Sequence, residues 1–137
     1  MEDCIFCKII AGKILANKVY ENGHSLAFLD INPVNKGHTL VVPKEHHSDL
    51  QTLSLPVLHD MVDAVQKVAA AVKKGVNADG INLGMNNGRA AGQVVFHAHM
   101  HVIPRFSDDG LRHWPSKKYA EGEINKIEEK IRMALQS

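Results

Sequence analysis

The chain has 137 residues, 45% of them hydrophobic, and a formal net charge of +1 at pH 7. That supports one folded domain with a core of its own and excludes a polypeptide built mainly to grip nucleic-acid backbone. No apolar run approaches the ~18 residues of a membrane span, and the opening "MEDCIFCK" is not a secretory signal, so a cytoplasmic protein is expected.

The elements can be read in chain order. "CIFCKIIAG" predicts a short helix ended by Gly12. "KVYE" (18–21) and "SLAFLDI" (25–31) read as strands joined by a turn at Asn22-Gly23, a common hairpin pair. A loop, "NPVNKG", leads to a third strand, "HTLVVP" (38–43). From Ser54 apolar residues recur at helical spacing (Val57, Leu58, Met61, Val62, Val65, Val68, Ala69, Val72). Ser54 is placed to cap this helix, Pro56 suits its first turn and Gly75 its end. "GINLGMN" (80–86) reads as a fourth strand weakened by Gly84, and "NGRAAGQ" as a glycine-rich loop. Ile124, Ile127, Ile131 and Leu135 mark an amphipathic C-terminal helix. Strands joined by short connections predict an antiparallel sheet and an α+β class.

Between the loop and the tail lies "QVVFHAHMHVIP" (93–104), with His97, His99 and His101 at every second position. As a strand, this segment would put the three imidazoles on one face, roughly 6.6 Å apart, with Ala98, Met100 and Val102 turned into a core. Val94, Val95, Val102 and Ile103 favour a strand, and Pro104 is a plausible end to it. Three uses fit such a row. It can be a polar surface face. It can ligate a catalytic zinc, which needs three protein ligands and an open position. It can also supply a nucleophile: a neutral imidazole attacks phosphorus through one nitrogen while an acceptor holds the proton on the other. Flanking imidazoles would then bond phosphate oxygens or serve the leaving group, and glycine-rich backbone would approach the phosphate.

"FHAHMHVIPR" resembles the motif of the histidine-triad (HIT) family, in which histidines alternate with apolar residues. "CIFCKIIAG", "VYENGHSLAFLDINPVNKGHTLVVPKEH" and "NNGRAAGQ" are similar, in order and spacing, to segments of its Hint-like bacterial and archaeal members. The resemblance spans roughly residues 3–105. It implies a five-stranded antiparallel HIT fold with one long helix, a single domain over 1–137 with a helical tail from about 107, and a homodimer. It also implies a nucleotide hydrolase or transferase acting at the α-phosphate of nucleoside phosphoramidates or related nucleotidyl substrates, with dinucleoside polyphosphates among them. The partner is then a small nucleotide, with no nucleic acid, membrane or organic cofactor. A covalent nucleotidyl group would form on His99, with His101 at the phosphate and leaving group and His38 supporting both. Asp30 matches the ribose-binding acid. Ile5, Phe6, Ile9, Phe28 and Ile31 match the apolar base pocket, although ordinary core is an equal account of them. Asn86, Gly92, Gln93 and Val94 match the phosphate loop. Val94 departs from the family, which usually carries Ser or Thr there, and brings no donor. A nucleotide-binding regulatory or partner-binding protein with little turnover is therefore the alternative.

Cys4 and Cys7 alone fit a redox pair, packing or a metal. The resemblance implies a structural Zn2+ completed by His46 and His97, with His47 an alternative to its neighbour. Trp114 in "RHWP" is similar to the C-terminal tail of the Hint branch, but over twenty residues follow it here.

Overall fold

The β-branched and apolar residues between Lys18 and Arg105 assemble one antiparallel sheet. The computed structural model describes residues 3–137. The strands are β1 (Lys18–Glu21), β2 (Ser25–Leu29), β3 (Thr39–Pro43), β4 (Gly80–Gly84) and β5 (Met100–Arg105), in the order β1-β2-β3-β5-β4. Among the described residues there are three α-helices, α1 (Ile5–Ile10), α2 (Leu55–Gly75) and α3 (Glu123–Gln136). The α+β class and the five-stranded sheet are as expected.

Both faces of the central strands are covered. In β2, Leu26 and Phe28 point to the face under α1, where they pack with Leu40, Val42, Phe6 and Ile9. Ala27, between them, points to the other face with Val41 and Val102, against Ala64, Val65 and Val68 of α2. This alternation is the two-residue period of a strand. The buried stripe of α2, from Val57 through Met61, Ala64 and Val65 to Val68, is the 3.6-residue period of a helix.

Several expected boundaries move, each for a local reason. β2 stops at Leu29 because the Asp30 carboxylate accepts the Asn32 N–H at 2.8 Å and turns the chain out. β3 begins at Thr39 and β4 ends at Gly84. Ser54 sits at the N-cap of α2, but its hydroxyl makes no capping bond; Gly75 is the last helical residue.

The largest difference lies in the histidine segment, where only residues from Met100 onward form a strand. The ladder with β3 stops at Val41↔Met100 because imidazoles take the carbonyls that would extend it. His97 Nε2–H donates to the Pro43 carbonyl at 2.8 Å, and His99 Nδ1–H donates to the His97 carbonyl at 2.7 Å. Pro104 lies inside β5 and does not end it. Its carbonyl accepts Asn35 Nδ2–H at 2.9 Å, on the side where the β3 ladder has already ended at Val102, so its missing N–H costs no ladder bond.

The first part of the tail is pinned by Asp109. Its carboxylate accepts from Arg105 and Asn35 and from the N–H groups of Phe106 and Leu111. The Arg105 guanidinium, then those amides, holds this carboxyl well below the usual carboxylate range. α3 beyond it buries no residue.

Candidate functional site

α1 and the segments after β3 and before β5 bring four sulfur and nitrogen ligands together. Cys4 caps α1, its Sγ accepting the Cys7 N–H at 3.4 Å, and one helical turn places both sulfurs on the same side. Cys7 Sγ lies 3.3 Å from His46 Nδ1 and 3.5 Å from His97 Nδ1, and Cys4 Sγ lies 3.4 Å from His97 Nδ1. All four ligand atoms fall within 4.8 Å of one another. Ligands about 2.1 Å (N) and 2.3 Å (S) from one tetrahedral zinc stand about 3.6 Å apart, so the spacing fits a common ion. His97 keeps its proton on Nε2, given to Pro43, so Nδ1 has a free lone pair facing the thiols. Burial lowers the pKa of both His46 and His97 and so favours the neutral form a metal needs. Burial, then the Cys4 thiol, pushes the Cys7 thiol up, so an ion there must displace its proton.

His47 stands apart from the cluster, bonded to Thr52 Oγ1 at 3.0 Å and within 3.3 Å of Glu45. The ambiguity between neighbours thus resolves to His46. The reading in which all three triad histidines share one catalytic metal does not hold, because His97 Nδ1 faces the cysteines while His99 Nδ1 is occupied by a carbonyl.

The remaining imidazoles form a row with a definite polarity. His99 is buried, edge-on to Phe6 with ring centroids 5.1 Å apart, and 4.9 Å from the ring of His101. With its Nδ1–H given to the His97 carbonyl, a neutral His99 carries its lone pair on Nε2. The Val34 N–H donates to His38 Nδ1 at 3.1 Å, which puts the His38 proton on Nε2. That proton goes to His101 Nδ1 at 2.9 Å, so the His101 proton sits on Nε2. Burial, then His99, lowers the His101 pKa to about 4, and burial also lowers that of His38. The row thus presents an acceptor at His99 beside a neutral donor at His101. Asp30 lies half-buried with a carboxylate oxygen 3.8 Å from His38 Nε2.

The other predicted site residues separate into groups. Phe6, Ile9 and Phe28 belong to the core cluster beneath the histidines, whereas Ile5 is partly exposed and Ile31 is 84% exposed. His38, His101 and Asn86 line one cleft of about 550 Å3. Arg112, His113 and Trp114 of the tail form part of its wall, and of these the sequence signalled only Trp114. Gly92 takes a left-handed conformation (φ 94°) that explains the glycine there. Val94 is 85% exposed, and Gln93 is buried with its amide turned inward.

Fold and site together define an α+β protein that sets a row of imidazoles beside a four-ligand metal set. A family model described as the HIT domain matches residues 11–108. The chain is 43% identical over 130 residues to an adenosine 5'-monophosphoramidase of Schizosaccharomyces pombe, covering 93% of this chain and 95% of that one. A HIT family member from Bacillus subtilis of known structure superposes with TM-score 0.89 at 43% identity, covering 96% of each chain. A Zn-bound histidine triad family protein from Mycobacterium smegmatis gives TM-score 0.76 at 36% identity, over 97% of this chain and 98% of that one. The chain belongs to the HIT family.

Proposed function

We propose that this protein is a nucleotide hydrolase or transferase that acts at the α-phosphate of nucleoside phosphoramidates or related nucleotidyl substrates. One observation carries the reading: His99 donates Nδ1–H to the His97 carbonyl and so holds an unprotonated Nε2 next to the His101 donor. His99 Nε2 attacks phosphorus, the bond to the leaving amine breaks, and the amine takes a proton from solvent. His101 Nε2–H bonds a phosphate oxygen or the leaving atom as a neutral donor. Water then attacks the nucleotidyl-histidine, His99 leaves with its electron pair, and one water is consumed overall. Asp30 accepts from the ribose hydroxyls, and the apolar residues around Phe6 and Phe28 receive the base. The relative named as a monophosphoramidase supports this substrate class.

Cys4, Cys7, His46 and His97 would hold a structural Zn2+, and four protein ligands would leave no place for a reacting water. The protein is a homodimer: β4 lies at an open sheet edge, and Ile124, Ile131 and Leu135 of α3 are exposed on a single chain. Among the described residues no helix is long and apolar enough to cross a membrane. The test is acid-quenched mass spectrometry during phosphoramidate turnover. An adduct on His99 is the expected result, and one on His97 or His101 overturns the assignment.

The exposed, donor-free Val94 favours a second reading, a nucleotide-binding protein with little turnover. Nucleoside monophosphate binding without phosphoramidate hydrolysis would establish it.

A further inference from the structure

Gln93 matches a phosphate-loop position by sequence, yet its side chain cannot face a phosphate. It is 4% exposed. Its Oε1 accepts the Gly88 N–H at 2.8 Å, while its Nε2 donates to the carbonyls of Ser48 (2.5 Å) and Val95 (3.1 Å). Both amide protons are therefore spent inside the protein. Those two carbonyls sit at telling places. Ser48 follows His46 by two residues, and Val95 precedes His97 by two. The same pair of segments is zipped by the Ala98 N–H donating to the His47 carbonyl at 2.7 Å.

The other end of the amide governs the glycine-rich loop. Gly88 donates its N–H to the Gln93 side chain, and its carbonyl accepts the Gln93 N–H at 3.1 Å. Gly88 and Gly92, the loop's ends, have φ of 93° and 94°, conformations that other residues rarely hold. Asn87 adds a further, exposed tie, accepting the Leu50 N–H at 2.9 Å.

We propose that Gln93 is a positioning residue that couples ion binding at Cys4, Cys7, His46 and His97 to the shape of the glycine-rich loop, and does not itself touch substrate. This rests on the proposed function only in taking that loop to face a phosphate. An ion that holds His46 and His97 to one point also fixes the gap between the Ser48 and Val95 carbonyls, which the amide spans. Without the ion the two segments are held by the Ala98–His47 bond and the amide alone, so the gap the amide spans widens more readily and the Gly88 anchor weakens. Coupling of this kind is reciprocal, so a nucleotide held by the loop must tighten the ion by the same factor.

Two measurements test this on the full chain with Zn2+ and AMP as probes. The first is amide exchange at Gly88 with the ion bound and after chelation. Wild-type exchange should rise about tenfold on chelation. In Gln93→Met it should be fast in both states. In Gln93→Glu, which keeps the acceptor for Gly88 but sets a carboxylate against two carbonyls, it should no longer respond to the ion. The second is zinc affinity by chelator competition, with and without saturating AMP. The wild type should show a tightening of about tenfold, and both variants a factor near one. A merely structural role would weaken each affinity and leave that factor intact, which would overturn the proposal, as would wild-type exchange indifferent to chelation. Failure to bind AMP would instead count against the proposed function, and the exchange measurement would then decide this inference alone. If Gln93→Met does not fold, Gln93→Glu carries the test.

Discussion

The two faces of the sheet are built by different means. On one face α2 lays 21 residues across an apolar cluster of Ala27, Val41 and Val102, with polar ties at the margin, where Asp60 bonds Asn22 and His24 and Lys67 reaches Tyr20. On the other the cover is the six-residue α1, and beside it the face is polar, carrying His97, His99 and His101. A helix that short is not stable in water by itself. What holds it is the packing of Phe6 and Ile9, together with the sulfur pair that closes on His46 and His97. The difference teaches where each face can be altered. The α2 face is built on apolar packing, whereas the histidine face trades apolar contact for polar side chains and is fastened where the cysteine pair meets His46 and His97.

The largest expected effect breaks the histidine face chemically and leaves its packing. His99→Ala should lower phosphoramidate turnover by about 10⁴-fold or more while AMP still binds, as calorimetry will show. Next, Cys4→Ser should release the metal and lower the thermal midpoint by about 10 °C, corresponding to about 3 kcal/mol. KM should rise more than kcat falls, because α1 carries apolar residues and not the nucleophile; metal analysis and steady-state kinetics read both. The comparison sharpens with Val102→Ala on the opposite face. A cost of about 2 kcal/mol in urea unfolding is expected, equal with and without chelator, since that face does not share the fastening. If chelation changes this cost, the two faces are not independent.

Restoring a hydroxyl with Val94→Thr should raise kcat roughly tenfold, about 1.4 kcal/mol of transition-state stabilisation, if a donor is what the site lacks. The smallest effect is on pH. His101 is neutral when folded, with a pKa of about 4, against about 6.5 in an unfolded chain. As pH falls the unfolded state takes up the proton first. The contribution is therefore complete above about pH 6.5 and lost progressively toward pH 4. Urea midpoints between pH 7 and 4.5 should fall, and His101→Asn should flatten that slope.

Much of this was legible in the sequence, for identifiable reasons. The stripe of α2 follows from the helical spacing of its apolar residues, which their order along the chain carries. The grouping of Cys4 and Cys7 with His46 and His97 followed from motif resemblance, and the structure brings those four together. What could not be read was any feature set by a side chain bonding to distant backbone. Periodicity makes 93–104 one strand, but His97 and His99 consume the carbonyls of Pro43 and His97, and the ladder stops at Met100. Gln93 looks like a loop residue open to ligand because nothing local shows that Ser48 lies within reach of its amide. The proton placement along His38 and His101 depends on the Val34 N–H, a group every non-proline residue has.

His97 offers two different things to its surroundings. Its ring belongs to the sulfur cluster, while its main-chain carbonyl fixes the tautomer of His99. Substitution can remove the first but not the second, because every amino acid brings a carbonyl. A lineage could thus lose the four-residue cluster one member at a time and still keep the His99 proton on Nδ1, provided the backbone kept its course.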